Sequence, residues 1–290
     1  MSRTKFNSAD GLVEYLDLEK LEEDLFRGQS PQVGWQRVFG GHVIGQALVA
    51  AQRTVSADRG VHSLHGYFMR PGDPSQPIIY EVERIRDGSS FSTRWVVAIQ
   101  HGKAIFSLQA SFQTDEDGLE YQDEMPQVTA PEDLPSPDEI RSTFLEGAPE
   151  HIIKYWRTER PIEVRPIMME HYFTNKSLPP VQHAWVRTLG PIPDDRVVQA
   201  SVLAYLSDML LLDTSLFFHG RSVFSKDIQA ASLDHAMWFH RRFDFSDWLL
   251  YTMDSPSTSG ARGFSRGSLY SRDGRLNASV AQEGLIRSKS

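Results

Sequence analysis

The stretch that decides the fold lies near the end of the chain and reads Asp273-Gly274-Arg275-Leu276-Asn277-Ala278-Ser279-Val280-Ala281-Gln282. An earlier stretch is similar to it: His101-Gly102-Lys103-Ala104-Ile105-Phe106-Ser107-Leu108-Gln109-Ala110. Each begins with a tight turn and a basic residue and continues as a segment with the composition and alternation of a β-strand. A repeat of this kind indicates that the chain contains two similar structural units.

Each unit also contains one helix-forming segment that is apolar on most of its faces, 39–51 in the first half and 202–212 in the second. Four strands are predicted after each helix. The predicted strands are 64–69, 78–85, 91–100 and 103–112, then 233–239, 248–253, 262–271 and 275–286. A sheet that wraps around one helix buries that helix on most sides. We therefore predict an α+β fold of two tandem repeats, each an antiparallel sheet around a long apolar helix.

Three polar residues interrupt this apolar pattern. Read with the period of two of a strand, Gln282 falls on the apolar face with Ala278 and Val280, where an unpartnered amide would cost about 1–3 kcal/mol. Asp208 interrupts the second apolar helix, although carboxylates are rarely buried without a partner. Ser232 is predicted to open the strand that continues to residue 239. A carboxylate, a hydroxyl and an amide could together hold a water molecule.

The net charge of −8 is concentrated in one segment. Residues 115–150 contain twelve Asp or Glu and the single basic residue Arg141, so this segment carries −11 and the rest of the chain +3. We predict a first repeat over 1–115, an acidic Pro-rich linker over 116–165 and a second repeat over 166–290. A short helix is expected after Ser136, and a packing helix over 12–26.

Composition excludes several classes of function. The chain has no cysteine, no apolar run close to the roughly 20 residues that span a bilayer, and no apolar signal segment in its first residues. Basic residues do not cluster into a stripe of the kind that binds nucleic acid. We therefore expect a cytoplasmic protein with no membrane span, no nucleic-acid partner, no metal and no cofactor.

Seven motifs distributed along the chain point to one family. They are Leu25-Phe26-Arg27-Gly28, Val38-Phe39-Gly40-Gly41-His42-Val43-Ile44-Gly45-Gln46-Ala47, Tyr67-Phe68-Met69-Arg70-Pro71-Gly72-Asp73, Arg86-Asp87-Gly88-Ser89-Ser90-Phe91, Leu233-Asp234-His235-Ala236-Met237-Trp238-Phe239-His240-Arg241, Ala261-Arg262-Gly263-Phe264 and Gln282-Glu283-Gly284. With them the sequence resembles the acyl-CoA thioesterase II family from end to end. The resemblance implies a double hot-dog fold, an acyl-CoA substrate, and a homodimer or homotetramer.

The resemblance also implies a reaction and its residues. Members hydrolyse acyl-CoA to fatty acid and CoA by general-base activation of a water, without a covalent acyl-enzyme. The family's catalytic positions fall on Asp208, Ser232 and Gln282, the residues that burial had singled out. The first half has Ala110 at the position of Gln282 and no acid between residues 39 and 57, although Ser63 is aligned with Ser232. We therefore expect one active site, in the second repeat.

Two other functions remain possible from the sequence. One is an acyl-CoA binding module without catalysis. The other is a serine esterase, because Gly263-Phe264-Ser265-Arg266-Gly267 matches the Gly-x-Ser-x-Gly nucleophile elbow. That motif requires a strand, a sharp turn and a helix, whereas residues 268–271 continue as a strand. We therefore predict that Ser265 is not a nucleophile.

Overall fold

The computed structural model describes residues 5–34, 36–144, 153, 157–172, 174–245 and 247–289. Its helices are α1 (Ala9–Leu16), α2 (Gly40–Gln52), α3 (Pro137–Glu139), α4 (Arg196–Ser207) and α5 (Leu211–Thr214). Its strands are β1 (Glu19–Glu22), β2 (Leu25–Gly28), β3 (Arg59–Phe68), β4 (Ile78–Asp87), β5 (Phe91–Gln100), β6 (Lys103–Thr114), β7 (Ile162–Pro166), β8 (Val181–Thr188), β9 (Ile228–Ser232), β10 (Asp234–Phe239), β11 (Leu249–Ser259), β12 (Arg262–Ser271) and β13 (Leu276–Ser288). Short helical turns occupy Pro131–Asp133, Ile140–Phe144, Glu170–Tyr172 and Phe217–His219.

The strands form one antiparallel sheet in the order β1-β2-β4-β5-β6-β3-β10-β13-β12-β11-β8-β7, with β9 also paired to β13. The two halves join where β3 pairs with β10, in a register that sets Leu64 opposite Met237. Each half of the sheet curves around one helix, α2 in the first and α4 in the second. The predicted α+β architecture of two repeats, each a sheet around an apolar helix, is thereby confirmed.

The two central helices lie against each other and run antiparallel. A Cβ added at Gly41 would overlap the carbonyl oxygen of Tyr205, and one at Gly45 would lie 3.0 Å from the carbonyl oxygen of Ser201. Residue numbers rise along α2 while those of the residues it contacts fall along α4, so the two helices run antiparallel. Glycine is needed at residue 41 because the backbones approach so closely. Side chains from both helices and both halves of the sheet form one continuous core.

The acidic linker packs onto the outer face of the second half. Met125 and Val128 contact a small apolar cluster that contains Trp185 and Trp248, and the Trp185 indole donates a hydrogen bond to the carbonyl oxygen of Thr129 at 2.8 Å. The predicted helix start is confirmed at α3 by a capping box between Ser136 and Glu139. Residues 145–152 of the predicted linker lie outside the described residues.

Some predicted elements are wrong. The expected helix over 12–26 ends at Leu16, because Asp17 is extended and the chain then forms β1 and β2. The spacing of the leucines in this segment is compatible with a helix, but β2 pairs with β4 and so extends the sheet. Strands β7 and β8 were not predicted: β7 lies largely within the predicted linker, and β8 lies in the second repeat before its apolar helix, where no strand was expected.

One stretch of the described residues, Arg196–His219, is long and apolar enough to cross a membrane by length and composition. It comprises α4, α5 and the turn that follows, and 78% of its apolar window is buried inside the fold. A core helix passes the same test, and α4 is the core helix of the second half. The apolar character of this stretch is therefore explained by its packing.

Candidate active site

Asp208 lies at the C-terminus of α4 and not inside a longer helix. The predicted helix over 202–212 is interrupted because Leu210 adopts a φ of 68°, a left-handed conformation that separates α4 from α5. At its other end α4 extends back to Arg196, after the N-cap Asp195. The Asp208 side chain is only 5% exposed. A carboxylate is thus held at the end of an apolar helix, almost out of contact with solvent.

Two donors from distant parts of the chain hold this carboxylate. Oδ2 of Asp208 accepts the backbone N–H of Gly41 at 2.8 Å, and Oδ1 accepts the side-chain Nε2–H of Gln282 at 2.7 Å. Gly41 is in the first turn of α2, where unpaired N–H groups and the helix dipole favour negative charge. The N-cap residue of α2, Phe39, makes no side-chain capping hydrogen bond. Asp208 from the second half therefore takes the place of a cap.

Burial and hydrogen bonding act in opposite directions on this group. Burial raises the pKa of Asp208, and hydrogen bonds from Gln282, Gly41 and Ser232 lower it. Burial has the larger effect, so the pKa rises from 3.8 to about 6. The carboxylate is thus mostly ionised at neutral pH and yet more basic than an exposed aspartate. A general base works best with a pKa near the working pH.

Ser232 lies close to the same carboxylate but in another element than predicted. It is the last residue of β9, a separate strand that pairs with β13, and not the first residue of the strand that ends at Phe239. Ser232 faces Gly284, two residues beyond Gln282 on β13. Its hydroxyl stabilises the ionised form of Asp208. The structure therefore brings Asp208, Ser232 and Gln282 together, as the sequence predicted.

Gln282 lies on the inward face of β13, as the period-two pattern predicted. It is 1% exposed, and its Oε1 has no hydrogen-bond partner among the described residues. Because Nε2 donates to Asp208, Oε1 is left to accept a hydrogen bond from a water or a substrate. A buried polar atom without a partner is costly, so this atom marks a position where a polar ligand is favoured.

Two cavities meet at Gly40 and Ser232, which line both of them. The larger has a volume of about 400 Å³ and is mainly apolar, with Met209 and Val223 among its lining residues. The smaller has a volume of about 260 Å³. Its lining is also mainly apolar; Arg37 lines both cavities, and Arg70 lines only the smaller one. In the part of the chain that the structure describes, no group of three or more His, Cys, Asp or Glu is placed to hold a metal ion.

The alignment of Ser63 with Ser232 is wrong by the strand register. Ser232 faces Gly284, and the residue of the first half equivalent to Gly284 is Phe112 when the two repeated stretches are superposed. The residue that faces Phe112 is Val61. Both halves change register by one residue here, between Val61 and Ser63 in the first and between β9 and β10 in the second, so the alignment of Ser63 with Ser232 was two residues out of step. The first half therefore lacks the hydroxyl as well as the acid and the amide.

The first turn of α4 is also occupied differently from that of α2. Asp195, the N-cap residue, accepts the N–H groups of Val197 and Val198 at 2.9 and 3.0 Å. The carboxylate at the N-terminus of α4 thus belongs to the N-cap residue of that helix. The carboxylate at the N-terminus of α2, by contrast, belongs to Asp208 from the other half of the chain. This asymmetry favours the prediction of one active site per chain.

The Gly-x-Ser-x-Gly sequence lies within the continuous strand β12, so the prediction that it is not a nucleophile elbow is confirmed. Gly263, Ser265 and Gly267 all face inward. A Cβ at Gly263 would collide with Ser215, and one at Gly267 with the ring of Tyr251. Small residues are needed there because the segment after α5 packs against the strand at Gly263 and the Tyr251 ring of β11 packs over Gly267. Ser265 Oγ has no hydrogen-bond partner among the described residues, so no base contacts it.

His235 was not among the predicted site residues, and the structure places it beside Asp208. The ring is 0% exposed, Nε2 lies 2.9 Å from Ser207 Oγ, and Nδ1 lies 4.0 Å from Asp208 Oδ1. The available signal was Ser207, a second polar residue directly before Asp208 in an otherwise apolar run. A histidine on the facing strand was a natural partner for that hydroxyl.

Comparison with family models gives two matches that together cover most of the chain. Residues 154–285 match the model described as acyl-CoA thioesterase, and residues 27–113 match the acyl-CoA thioesterase N-terminal domain. The boundary between the two matches falls within the acidic linker. Both halves of the fold are thus recognised separately by models of one family.

Individual proteins give the same result. The chain is 41% identical to acyl-CoA thioesterase 2 of Haemophilus influenzae, over 96% of this chain and 97% of that protein. It is 45% identical to acyl-coenzyme A thioesterase 8 of Mus musculus, over 94% and 88%. The crystal structure of the acyl-CoA thioesterase II TesB2 from Mycobacterium marinum superposes with a TM-score of 0.79 at 43% identity, over 96% and 99%. A hot-dog protein from Alicyclobacillus acidocaldarius, at 19% identity and a TM-score of 0.77 over 96% and 98%, shares the fold.

Proposed function

The chain belongs to the acyl-CoA thioesterase family and hydrolyses acyl-CoA thioesters, and on this premise we propose that Asp208 is the general base of the reaction. The observation that carries the proposal is the buried Asp208 carboxylate, held by Gly41 and Gln282 at the meeting point of two cavities. The alternative of a non-catalytic acyl-CoA binding module gives way, because the matched family and relatives are thioesterases.

In the proposed reaction, Asp208 takes a proton from a water while the water oxygen attacks the carbonyl carbon of the thioester. Negative charge develops on the carbonyl oxygen of the tetrahedral intermediate. The Gln282 amide or the N–H groups in the first turn of α2 stabilise this charge. The carbon–sulfur bond then breaks, and Asp208 returns its proton to the departing sulfur of CoA. The products are a fatty acid and CoA, and the acyl group is never bound covalently to the protein.

Ser232 and Gln282 have positioning roles in this scheme. The unpartnered Oε1 of Gln282 accepts one hydrogen of the water, whose other hydrogen points to Asp208. The Ser232 hydroxyl supplies a further contact at the junction of the cavities. Holding a reactant in attack geometry can remove several kcal/mol from the barrier. Both residues are therefore expected to affect turnover more than substrate binding.

The two cavities divide the substrate between them. We infer that the larger, mainly apolar cavity takes the acyl chain, because burial of each methylene contributes about 0.8 kcal/mol. The smaller cavity takes the phosphate-bearing CoA portion, because Arg70 lines this cavity and not the larger one. Their junction at Ser232 then places the thioester carbon next to Asp208.

A matched pair of serine variants tests the proposed site. Ser232→Ala is expected to lower kcat at least tenfold, because the hydroxyl that positions the water is lost. Ser265→Ala, which removes an equally small hydroxyl from the neighbouring strand β12, is expected to leave kcat within about twofold. Release of free CoA is followed with a thiol reagent. The opposite ranking, with a covalent fluorophosphonate adduct on Ser265, would establish the serine-esterase mechanism instead.

A second pair tests the division of the substrate. Val223→Phe is expected to lower kcat/KM for long acyl chains at least tenfold while sparing short ones, because the larger ring fills the apolar cavity. Arg70→Gln is expected to raise KM by about the same factor for every chain length, because it acts on the CoA portion. A series of acyl-CoA substrates separates the two patterns. A chain-length effect in Arg70→Gln would show that the assignment is reversed.

We propose further that the two repeats span 1–115 and 166–290, that the protein is cytoplasmic, and that it forms a homodimer or homotetramer. Exposed aromatic side chains on the outer face of the sheet support self-association. Tyr67, Trp95 and Trp238 are 63%, 42% and 37% exposed, and the rings of Trp238 and His65 are in edge contact. Exposed apolar groups that lie close together favour a protein interface.

A further inference from the structure

Ser207 and His235 form a buried polar pair beside Asp208 and have no part in the reaction proposed above. Both side chains are 0% exposed. His235 Nε2 lies 2.9 Å from Ser207 Oγ, and Nδ1 has no hydrogen-bond partner among the described residues although Asp208 Oδ1 is 4.0 Å away. The position of one proton on the imidazole ring therefore decides whether Asp208 faces a donor or a lone pair.

The hydrogen bonds of Ser207 indicate where that proton lies. Burial lowers the pKa of His235 to about 3, so the ring is neutral at pH 7 and carries one N–H. The hydroxyl of Ser207 donates to the carbonyl oxygen of Ala204 at 2.9 Å, so its lone pairs are left to accept. The Nε2–H of His235 supplies the donor, and Nδ1 is left bare.

The distance between His235 Nδ1 and the Asp208 carboxylate agrees with a proton on Nε2. An N–H on Nδ1 would form a charge-assisted hydrogen bond to a carboxylate, with a typical length of about 2.7–2.9 Å. The separation of 4.0 Å between Nδ1 and Asp208 Oδ1 is longer by more than an ångström. Two acceptors that face each other keep such a distance, because their lone pairs repel.

We propose that Ser207 is a positioning residue that holds His235 in the Nε2–H tautomer, so that a bare nitrogen and not an N–H group faces Asp208. This inference rests on the proposed role of Asp208 as the base. A donor on Nδ1 would stabilise the ionised carboxylate and make it a weaker base. Facing lone pairs instead favour uptake of a proton by Asp208, which is the step that the reaction requires.

Groups from every element packed around Asp208 affect how readily its carboxylate takes up a proton. They are the Gly41 N–H of α2, the Ser232 hydroxyl of β9, His235 of β10, Tyr251 of β11, the Gln282 amide of β13, and Arg37, Arg160 and Asp213 along the larger cavity. The pKa of Tyr251 is raised by burial and by the charge of Asp208, and its hydroxyl donates to the Ser207 carbonyl oxygen at 2.6 Å. Truncating the Ser207 side chain leaves the other groups in place and removes the hydrogen-bond partner of His235 Nε2.

The tautomer can be measured directly. In protein labelled with ¹⁵N-histidine, the ring nitrogens of His235 are assigned by the loss of their signals in His235→Gln. The expected wild-type spectrum at pH 7 has a protonated Nε2 and a bare Nδ1. In Ser207→Ala the proton is expected to move to Nδ1, where Asp208 can accept it after an approach of about 1 Å. A protonated Nδ1 in the wild-type protein would overturn the proposal without any enzyme assay.

Kinetics test the consequence for the base. In Ser207→Ala the acid limb of the kcat/KM profile is expected to move to lower pH by about one pH unit, and kcat at pH 8 to fall about threefold. Ser201→Ala is the matched control. It lies in the same helix, is equally buried and donates to a carbonyl oxygen three residues earlier at 3.0 Å, with no histidine partner among the described residues. The control is expected to keep the wild-type profile.

The outcomes separate this proposal from the proposed function. A changed tautomer in Ser207→Ala with an unmoved acid limb would overturn the positioning role while leaving Asp208 as the base. Near-wild-type turnover in Asp208→Asn would remove the base itself, whatever the spectra show. A moved limb in Ser201→Ala would mean that loss of any buried hydroxyl in this helix perturbs the site, and the specific role of Ser207 would be refuted.

Discussion

Replacement of Asp208 by asparagine is expected to lower kcat at least 100-fold and, at the same time, to stabilise the protein at pH 7. Loss of a general base typically costs about 10²–10⁴-fold in rate. The amide can still accept the Gly41 N–H, and it can donate to Gln282 if that side chain rotates by half a turn. The fold is therefore kept, and the chemistry is lost.

The gain in stability follows from the pKa of this group. The carboxyl binds its proton more tightly in the folded protein, where its pKa is about 6, than in the unfolded chain, where the ordinary aspartate pKa of 3.8 applies. Protonation thus favours the folded state below pH 4, and this contribution is lost as the pH rises through 6. The penalty on ionised Asp208 approaches about 3 kcal/mol above pH 7. Asp208→Asn removes this penalty and is therefore expected to raise the free energy of unfolding by up to about 3 kcal/mol.

Denaturant unfolding at two pH values measures this effect. The stability gain of Asp208→Asn over wild type is expected to be larger at pH 8 than at pH 5. Asp195→Asn, an equivalent change at the other end of the same helix, is the control, because asparagine caps a helix about as well as aspartate. It is expected to alter neither activity nor stability by much. A destabilised Asp208→Asn protein at pH 8 would mean that the carboxylate is a net structural asset.

Gly41→Ala is expected to destabilise the protein by about 2–4 kcal/mol and to lower kcat at least tenfold. Where nothing obstructs the new methyl group, a change from glycine to alanine in a helix stabilises by at most about 1 kcal/mol, and Gly41 lies in the first turn of α2. Here the added Cβ would overlap the carbonyl oxygen of Tyr205, so α2 and α4 must move apart, and overpacking of this kind is costly. The movement also withdraws the N–H that binds Asp208 Oδ2.

The sign of the stability change alone decides this prediction, since propensity and packing point in opposite directions. Thermal unfolding gives the stability, and thiol release gives the rate. Gly118→Ala is the control because nothing lies within 4 Å of a Cβ at that residue. A stabilised Gly41→Ala protein with normal turnover would show that the two helices have room to separate.

Local pattern was enough to find the acid and the amide. Gln282 could be predicted because the two-residue periodicity of its strand places this amide on the apolar face. Asp208 could be predicted because it interrupts an apolar helical segment. Ser232 was placed in the wrong strand, because the break between β9 and β10 has no glycine or proline to mark it. The end of α4 was missed for a similar reason, since Leu210 takes a left-handed conformation that its residue type does not favour.

Long-range pairing set the limit of sequence analysis. Nothing in either segment alone indicates that β3 pairs with β10, because that choice depends on how the two halves of the sheet meet. The irregularity in β3 that separates Val61 from Ser63 is likewise invisible without the partner strand. The closeness of His235 to Asp208, which the sequence did not predict, depends on the same pairing.

The fusion of two repeats into one polypeptide has an evolutionary consequence. In a dimer of identical single-repeat chains, every substitution appears twice, so both symmetry-related helix ends must tolerate the same residues. Here the ends differ: Asp195 caps α4 from within, whereas Asp208 reaches α2 from the other repeat. A single chain that holds both repeats allows one helix end to carry a structural cap while the other carries the carboxylate of the proposed base.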